Sequence, residues 1–162
     1  MKKPLIEIIL PATYLAAIDN SAGSRFFQNL FARVDGKKAD ILRGGELSCA
    51  FFVSSLLLLF GLISRKHANV DSTLRSLRRC GWYDIARPKR GAVIVWGIKD
   101  FGKGDSHKHI GFCLDRHTAL SHSFYKKTPV RHDIDSAKLG PIERILWHPR
   151  LDLPLSNKKI NN

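Results

Sequence analysis

The chain has 162 residues, and 44% of them are hydrophobic, so it can bury the core of one domain without a disulfide scaffold and is not a disordered chain. Its cysteines are too few and odd in number for a disulfide framework, and we interpret all three as reduced thiols: Cys49, Cys80 and Cys113. The 27 lysines and arginines against 14 acidic residues give a net charge of +13, which predicts attraction to a polyanion such as a cell-wall polymer, anionic lipid or nucleic acid.

The amino-terminal segment weakly resembles a signal peptide, because two lysines precede an apolar stretch that small residues follow. Glu7 and Pro11 interrupt this stretch, so we predict that it is retained as an amphipathic helix over residues 4–19. The location therefore stays open between the cytoplasm and export to the cell wall. A second amphipathic helix is predicted over residues 24–34, and the turn-forming residues 35–48 make a loop to the next element.

Residues 48–63 are apolar nearly all round, which is typical of a helix that the rest of a domain encloses. Ser48 is a candidate N-cap for this helix. Two serines and a glycine break the apolar run, which is also too short to cross a bilayer, so no membrane span is predicted. Another helix is predicted over residues 70–79, beginning near Asp71 or Ser72.

Basic residues concentrate in residues 65–108, which contain eleven lysines and arginines but only four acidic residues. Three arginines of the predicted helix have i, i+3, i+4 spacing and therefore share one face: Arg75, Arg78 and Arg79. This face is a candidate docking surface for peptidoglycan or another anionic polymer. The alternative is a solvated helix surface without a ligand, because long cationic side chains routinely cover core surface.

Beyond Gly81, β-rich segments replace the helices, and turn-forming residues separate them. Four strands are predicted, at residues 91–97, 109–115, 118–124 and 142–148. Helices followed by strands predict an α+β fold, with N-terminal helices and a buried Cys-bearing helix packed on an antiparallel sheet of about four to six strands. We expect a monomer with one domain over residues 1–155 and a disordered polar tail over residues 156–162.

Cys49 stands in the first turn of the predicted buried helix, where unpaired N–H groups and the helix dipole favour a thiolate. Cys80 ends a helix and Cys113 lies within a strand, so neither gains this stabilisation. The position predicts a lowered pKa for Cys49 and makes it the candidate nucleophile. The alternative is a packed core side chain, since free cysteine is among the most buried residue types.

A nucleophilic thiol needs a base within hydrogen-bond reach, and the base needs a group that holds its tautomer and orientation. The predicted strands 109–115 and 118–124 form a hairpin if the chain turns near residues 116–117. His109 and His122 then lie at the same end of the hairpin, close enough for contact between their imidazoles. These two side chains are therefore candidates for the two roles.

Together these segments resemble the motifs of the NlpC-type papain-like cysteine peptidases, in family order over residues 47–124. LSCAFFVSSLL is similar to the family's DCSGFV helix start, which places Cys49 on the nucleophile. HIGFCLD resembles HVGIYLG and places His109 on the base, while ALSHS resembles FIHAS and places His122 on the third catalytic residue. The strand PKRGAVIVWG is similar to PGDLVFF. Ser48 replaces the family's Asp before the nucleophile, and the Tyr upstream of it is missing.

The resemblance implies a papain-like fold and a cysteine peptidase or amidase that acts on peptidoglycan stem peptides without a cofactor. The related CHAP-type amidases share this arrangement in outline. In the implied reaction the thiolate of Cys49 attacks an amide carbon, His109 transfers the proton and His122 orients His109, through a thioester intermediate. Acyl transfer through the same thioester is an open alternative.

Two other functions are compatible with the residues. A basic nucleic-acid-binding module with a structural Cys49 would use the charge excess, although the sequence contains no motif of such modules. A zinc site would use the histidines, but His109 and Cys113 lie about 13 Å apart on an extended strand, at roughly 3.3 Å per residue, too far for one ion. We therefore predict no metal. The tryptophans are interpreted as core side chains rather than a sugar-binding wall: Trp82, Trp96 and Trp147.

Overall fold

The computed structural model describes residues 3–100 and 106–152, and in them the chain forms three α-helices and eight β-strands. The helices are α1 (Leu10–Asn20), α2 (Cys49–Leu59) and α3 (Val70–Arg79). The strands are β1 (Phe31–Val34), β2 (Lys37–Asp40), β3 (Tyr83–Asp84), β4 (Val93–Asp100), β5 (Ser106–Cys113), β6 (Thr118–His122), β7 (Pro129–Asp133) and β8 (Ile142–Trp147). The predicted α+β class is confirmed. The predicted tail, residues 156–162, lies outside the described residues, as do the first two residues of the signal-like segment.

The amino-terminal part of the described chain has one α-helix where two are predicted. α1 begins only at Leu10, with Pro11 in its first turn, where the missing N–H of proline breaks no helical bond. Residues 24–30 form turns and irregular structure that lead into β1 at residues 31–34, so the predicted second helix is wrong. β1 pairs with β2 across Asp35 and Gly36, whose φ angles are both positive. An Asp-Gly pair favours this tight hairpin turn, and the hairpin outweighs the helical periodicity of the apolar residues.

The two predicted middle helices are confirmed, with differences at their ends. α2 has eight buried residues out of 11, as expected of an enclosed helix. It ends at Leu59 because Gly61 adopts a φ of 62° and the N–H of Leu62 bonds back to the carbonyl of Leu57, a Schellman-type stop.

Ser48 occupies the predicted N-cap position of α2, whereas the N-cap of α3 lies before the predicted start of that helix. Ser48 precedes α2 but makes no side-chain capping bond within the described chain. α3 is capped by Asn69, two positions before Asp71 and three before Ser72, and the side-chain oxygen of Asn69 accepts from the N–H of Ser72 at 2.8 Å. An Asn in extended backbone just before a helix is among the most favoured capping residues.

Six strands form one antiparallel sheet in the order β3-β8-β4-β5-β6-β7. β4, β5, β6 and β8 correspond to the four predicted strands. β3 has only two residues, and β7 (PVRHD) begins at a proline and lacks the apolar alternation that predicts a strand. α2 packs on β5 and β6, and the ring of Phe52 lies 5.5 Å from the ring of Phe112 on β5. The face of the sheet that carries Phe112 is therefore the one that α2 covers.

Candidate active site

Cys49 is the first residue of α2, and only 7% of its surface is exposed. Burial raises the pKa of Cys49 to about 11. The backbone N–H groups of Ile110, Ala50 and Cys49 itself favour the thiolate and act to lower this pKa, but their effect is smaller than that of burial. The helix start acts on the sulfur as predicted, but burial outweighs it. The thiol is therefore protonated at neutral pH, and the prediction of a lowered pKa for Cys49 is wrong.

The contact with Ile110 fixes where the sulfur lies. The ladder between β5 and β6 ends at the pair of Gly111 and Ser121, so Ile110 lies just beyond its last pair. The N–H of Ile110 instead faces the sulfur of Cys49. The nucleophile candidate thus lies against the peptide group that joins Ile110 to His109.

His109 is almost completely buried on β5, directly opposite Trp96 of β4 in the sheet register. Its Nε2 lies 2.8 Å from Oγ of Ser121, and its ring centre lies 5.7 Å from that of Trp96. Burial lowers the pKa of His109 to about 3, and the charges of neighbouring histidines, with His132 first, act in the same direction. The imidazole is therefore neutral at neutral pH, so one of its two nitrogens has a lone pair.

Ser121 and His132 continue the contact that begins at His109. The hydroxyl oxygen of Ser121 lies 2.7 Å from Nε2 of His132, and Nδ1 of His132 lies 2.9 Å from the carbonyl oxygen of Asp133. Sequence reasoning missed both residues. Strand alternation places Ser121 beside His109 only when the length of the loop before β6 is known. His132 was missed because β7 (PVRHD) lacks the apolar alternation that predicts a strand.

The connection between β5 and β6 has three residues, 115–117, because the N–H of Leu114 donates to the carbonyl of Thr118. Asp115 stabilises this loop, since its carboxylate accepts from the N–H groups of His117 at 2.8 Å and Thr118 at 2.7 Å. The turn predicted from the sequence had two residues. Because side chains alternate between faces, this difference of one residue exchanges the faces of every side chain on β6.

His122 consequently points to the face that α2 covers. Ser121 takes the position beside His109 that was predicted for His122. The ring centre of His122 lies 6.3 Å from that of Phe52, and burial lowers its pKa to about 4 despite the Gly45 carbonyl, which favours the charged ring. Neither ring nitrogen has a hydrogen-bond partner of regular geometry among the described residues. The predicted orienting contact between His122 and His109 is replaced by the contact with Ser121.

Two clefts lie next to β5. The larger has a volume of about 430 Å³ and is lined by Cys49 together with basic and acidic side chains, among them Arg43, Asp71 and Lys108. The smaller, of about 100 Å³, is lined by His109 and its partners Ser121 and His132. The thiol of Cys49 and the imidazole of His109 therefore line different clefts.

The three predicted docking arginines lie exposed on α3, but they are not equivalent. Arg78 forms an ion pair with Asp84, which also pairs with Arg144 at 3.2 Å. Arg75 donates to Oγ of Ser72 at 2.9 Å. Asp84 therefore offsets part of the charge of the predicted face, which leaves Arg75 and Arg79 as its strongest cationic positions.

The remaining predicted features concern the core, metals and membranes. Three tryptophans are buried, with at most 5% exposure: Trp82, Trp96 and Trp147. In residues 3–100 and 106–152 no group of three His, Cys, Asp or Glu side chains could hold a metal ion. No helix in those same ranges is both long and apolar enough to cross a bilayer. Among known proteins, no family model and no curated sequence matches the chain.

Proposed function

We propose that this protein is a papain-like cysteine hydrolase that cleaves an amide bond through a thioester on Cys49. One observation carries the proposal: a buried thiol at the start of an enclosed helix lies against the peptide group next to His109, whose Nε2 is held by Ser121. A nucleophile, a neutral base and a group that orients the base are the parts that this chemistry requires.

The reaction begins from a neutral pair, since burial keeps the thiol protonated and the imidazole uncharged. The proton of Cys49 passes to Nδ1 of His109 through one bridging water molecule, because the thiol and the imidazole line different clefts, and the sulfur attacks the carbonyl carbon of the substrate. The oxyanion that forms is stabilised by the backbone N–H groups of Cys49 and Ile110, which face the sulfur. His109 then gives the proton to the leaving amine, and the thioester remains.

Hydrolysis of the thioester completes the cycle. His109 takes a proton from a water molecule, and the resulting hydroxide attacks the thioester carbon. The same backbone N–H groups hold the second oxyanion. Collapse of this intermediate breaks the C–S bond, returns the proton from His109 to the sulfur and releases the acid.

The substrate class that fits best is the stem peptide of peptidoglycan, which carries free carboxylates. The net charge of +13 favours binding to an anionic wall. Basic side chains also line the cleft that exposes Cys49, namely Arg43 and Lys108, although Lys108 pairs with Glu143 at 3.0 Å. Resemblance to the NlpC-type motifs points to the same substrate.

A digest of purified peptidoglycan tests the proposal. Wild type should release new stem-peptide fragments with free amino and carboxyl ends, detected by liquid chromatography and mass spectrometry, and Cys49→Ser should release none. Cys113→Ser is a matched control, because Cys113 is also buried and its pKa is also raised to about 11, mainly by burial. Equal fragment release by wild type and Cys49→Ser would contradict the proposal.

A further inference from the structure

We infer that His132 is a positioning residue that fixes the tautomer of His109 through the hydroxyl of Ser121. Three ring and hydroxyl groups form one chain that ends on a backbone carbonyl: His109 to Ser121 at 2.8 Å, Ser121 to His132 at 2.7 Å, and His132 to Asp133 at 2.9 Å. The catalytic effect of this hydrogen-bond chain rests on the proposed function, whereas the directions of its hydrogen bonds do not.

The direction of the chain is set at its far end. The carbonyl oxygen of Asp133 can only accept, so Nδ1 of His132 must carry a hydrogen and donate it. A neutral imidazole has one N–H, so Nε2 of His132 has a lone pair. That nitrogen must accept from the hydroxyl of Ser121.

The hydroxyl of Ser121 transmits this direction to the base. It has one hydrogen, which it donates to His132, and its oxygen then accepts from Nε2–H of His109. In the neutral ring of His109 the lone pair therefore resides on Nδ1, the nitrogen that the proposed reaction uses. Without the chain, the hydrogen on Nε2 of His109 would lose the acceptor that holds it there.

The surrounding packing holds the two imidazoles in place. Trp96 packs against both of them, with its ring centre 5.7 Å from that of His109 and 5.5 Å from that of His132. The indole N–H of Trp96 donates to the carbonyl of Ile134 at 2.9 Å, which anchors the polypeptide backbone just after β7. His132 itself is opposite Ala119 in the ladder between β6 and β7. The three residues of the hydrogen-bond chain therefore lie on three neighbouring strands of the sheet, β5, β6 and β7.

The test measures tautomers and kinetics in the same variants. Long-range ¹H–¹⁵N spectra near neutral pH should show wild-type His109 with hydrogen on Nε2 and His132 with hydrogen on Nδ1. His132→Phe keeps a ring beside Trp96 but offers no acceptor, so His109 should become a mixture of tautomers. In peptidoglycan cleavage its kcat should fall about tenfold or more, at nearly unchanged KM.

His132→Gln is the rescue variant, since its amide oxygen can accept from Ser121. It should keep the Nε2–H tautomer of His109 and most of kcat. Hydrogen on Nδ1 of wild-type His109, or an unchanged tautomer and kcat in a folded His132→Phe, would overturn the inference. If the tautomers behave as expected but wild type cleaves nothing, the proposed function is wrong while the inferred hydrogen-bond chain is supported. If His132→Phe does not fold, Ser121→Ala replaces it in the test and should also give a mixture of His109 tautomers.

Discussion

Individual side chains in the site are governed by burial more than by their neighbours. Cys49 stands where a helix start favours the thiolate, yet desolvation raises its pKa to about 11. His109 and His122 are neutral for the same reason, with pKa values lowered to about 3 and about 4. The sequence indicates which residue types meet but not how much water they lose, so the charge state of the site could not be predicted from it.

Alkylation at neutral pH should follow exposure. Cys80 is half-buried, whereas Cys49 and Cys113 are buried with raised pKa values, so iodoacetamide should modify Cys80 first. Peptide mapping of each thiol over time measures the order. Fast, selective labelling of Cys49 in the protein without substrate would show a thiolate. It would contradict the proposed resting state, in which the Cys49 thiol is protonated and the His109 imidazole is neutral.

Buried neutral histidines should make the fold sensitive to acid. Unfolded histidine binds a proton near pH 6.5, whereas folded His109 and His122 do so only near 3 and 4. Stability is therefore full above about pH 6.5 and is lost as the pH falls toward 4, by about 2 kcal/mol per histidine at about pH 5.

Thermal melting between about pH 7.5 and pH 5 measures this loss. His122→Leu removes one of the two groups and should make the fall in Tm with acidity shallower. His117→Gln, at an exposed histidine, is the control and should keep the wild-type slope. A wild-type Tm that does not change over this range would contradict the assignment of the buried neutral rings.

At the scale of elements, most apolar segments were predictable, whereas the β1–β2 hairpin and β7 were not. α2, α3 and strands β4, β5, β6 and β8 follow from apolar patterns of adequate length. β7 was not predicted, and with it the position of His132. The register of β6 depends on a loop one residue longer than expected, and that residue decides whether Ser121 or His122 meets His109.

Gly111 permits the close approach of β5 and β6 at this point. A methyl group on it would lie 2.6 Å from the carbonyl oxygen of Leu120 and 2.7 Å from Cβ of Ser121. Gly111→Ala should therefore lower the free energy of unfolding by about 1–3 kcal/mol, measured by urea denaturation. It should also disturb the contact of Ser121 with His109.

Gly97→Ala is the matched control for this change. Its added methyl would meet Oε1 of Glu143 at 3.0 Å, the end of a flexible side chain that can move away. The loss of stability should be clearly smaller than for Gly111→Ala. Equal effects of the two substitutions would show that the approach of β5 and β6 is not tight.

The whole molecule carries its positive charge outside the buried chemistry. Exposed arginines on α3 can attract an anionic polymer, but salt screens such charges, since the Debye length falls from about 10 Å at 0.1 M to about 3 Å at 1 M. Binding to the wall should therefore weaken with salt, while turnover of a small soluble peptide should change little.

Removal of two α3 charges should reproduce part of the salt effect. Arg75→Gln with Arg79→Gln should weaken binding to purified cell wall in a sedimentation assay and leave small-peptide turnover unchanged. Arg33→Gln with Arg87→Gln removes the same charge from exposed positions elsewhere and is the control. Equal loss of binding in both double variants would mean that only net charge matters and that α3 is not a docking face.

The most direct test of the proposed chemistry is to capture the thioester. Wild type should be mixed with soluble stem-peptide fragments of peptidoglycan, quenched with acid within seconds, and examined by peptide-level mass spectrometry. The account predicts an acyl adduct on Cys49 that neutral hydroxylamine removes, and none on Cys113. Fragment cleavage without any adduct on Cys49, and undiminished in Cys49→Ser, would contradict it.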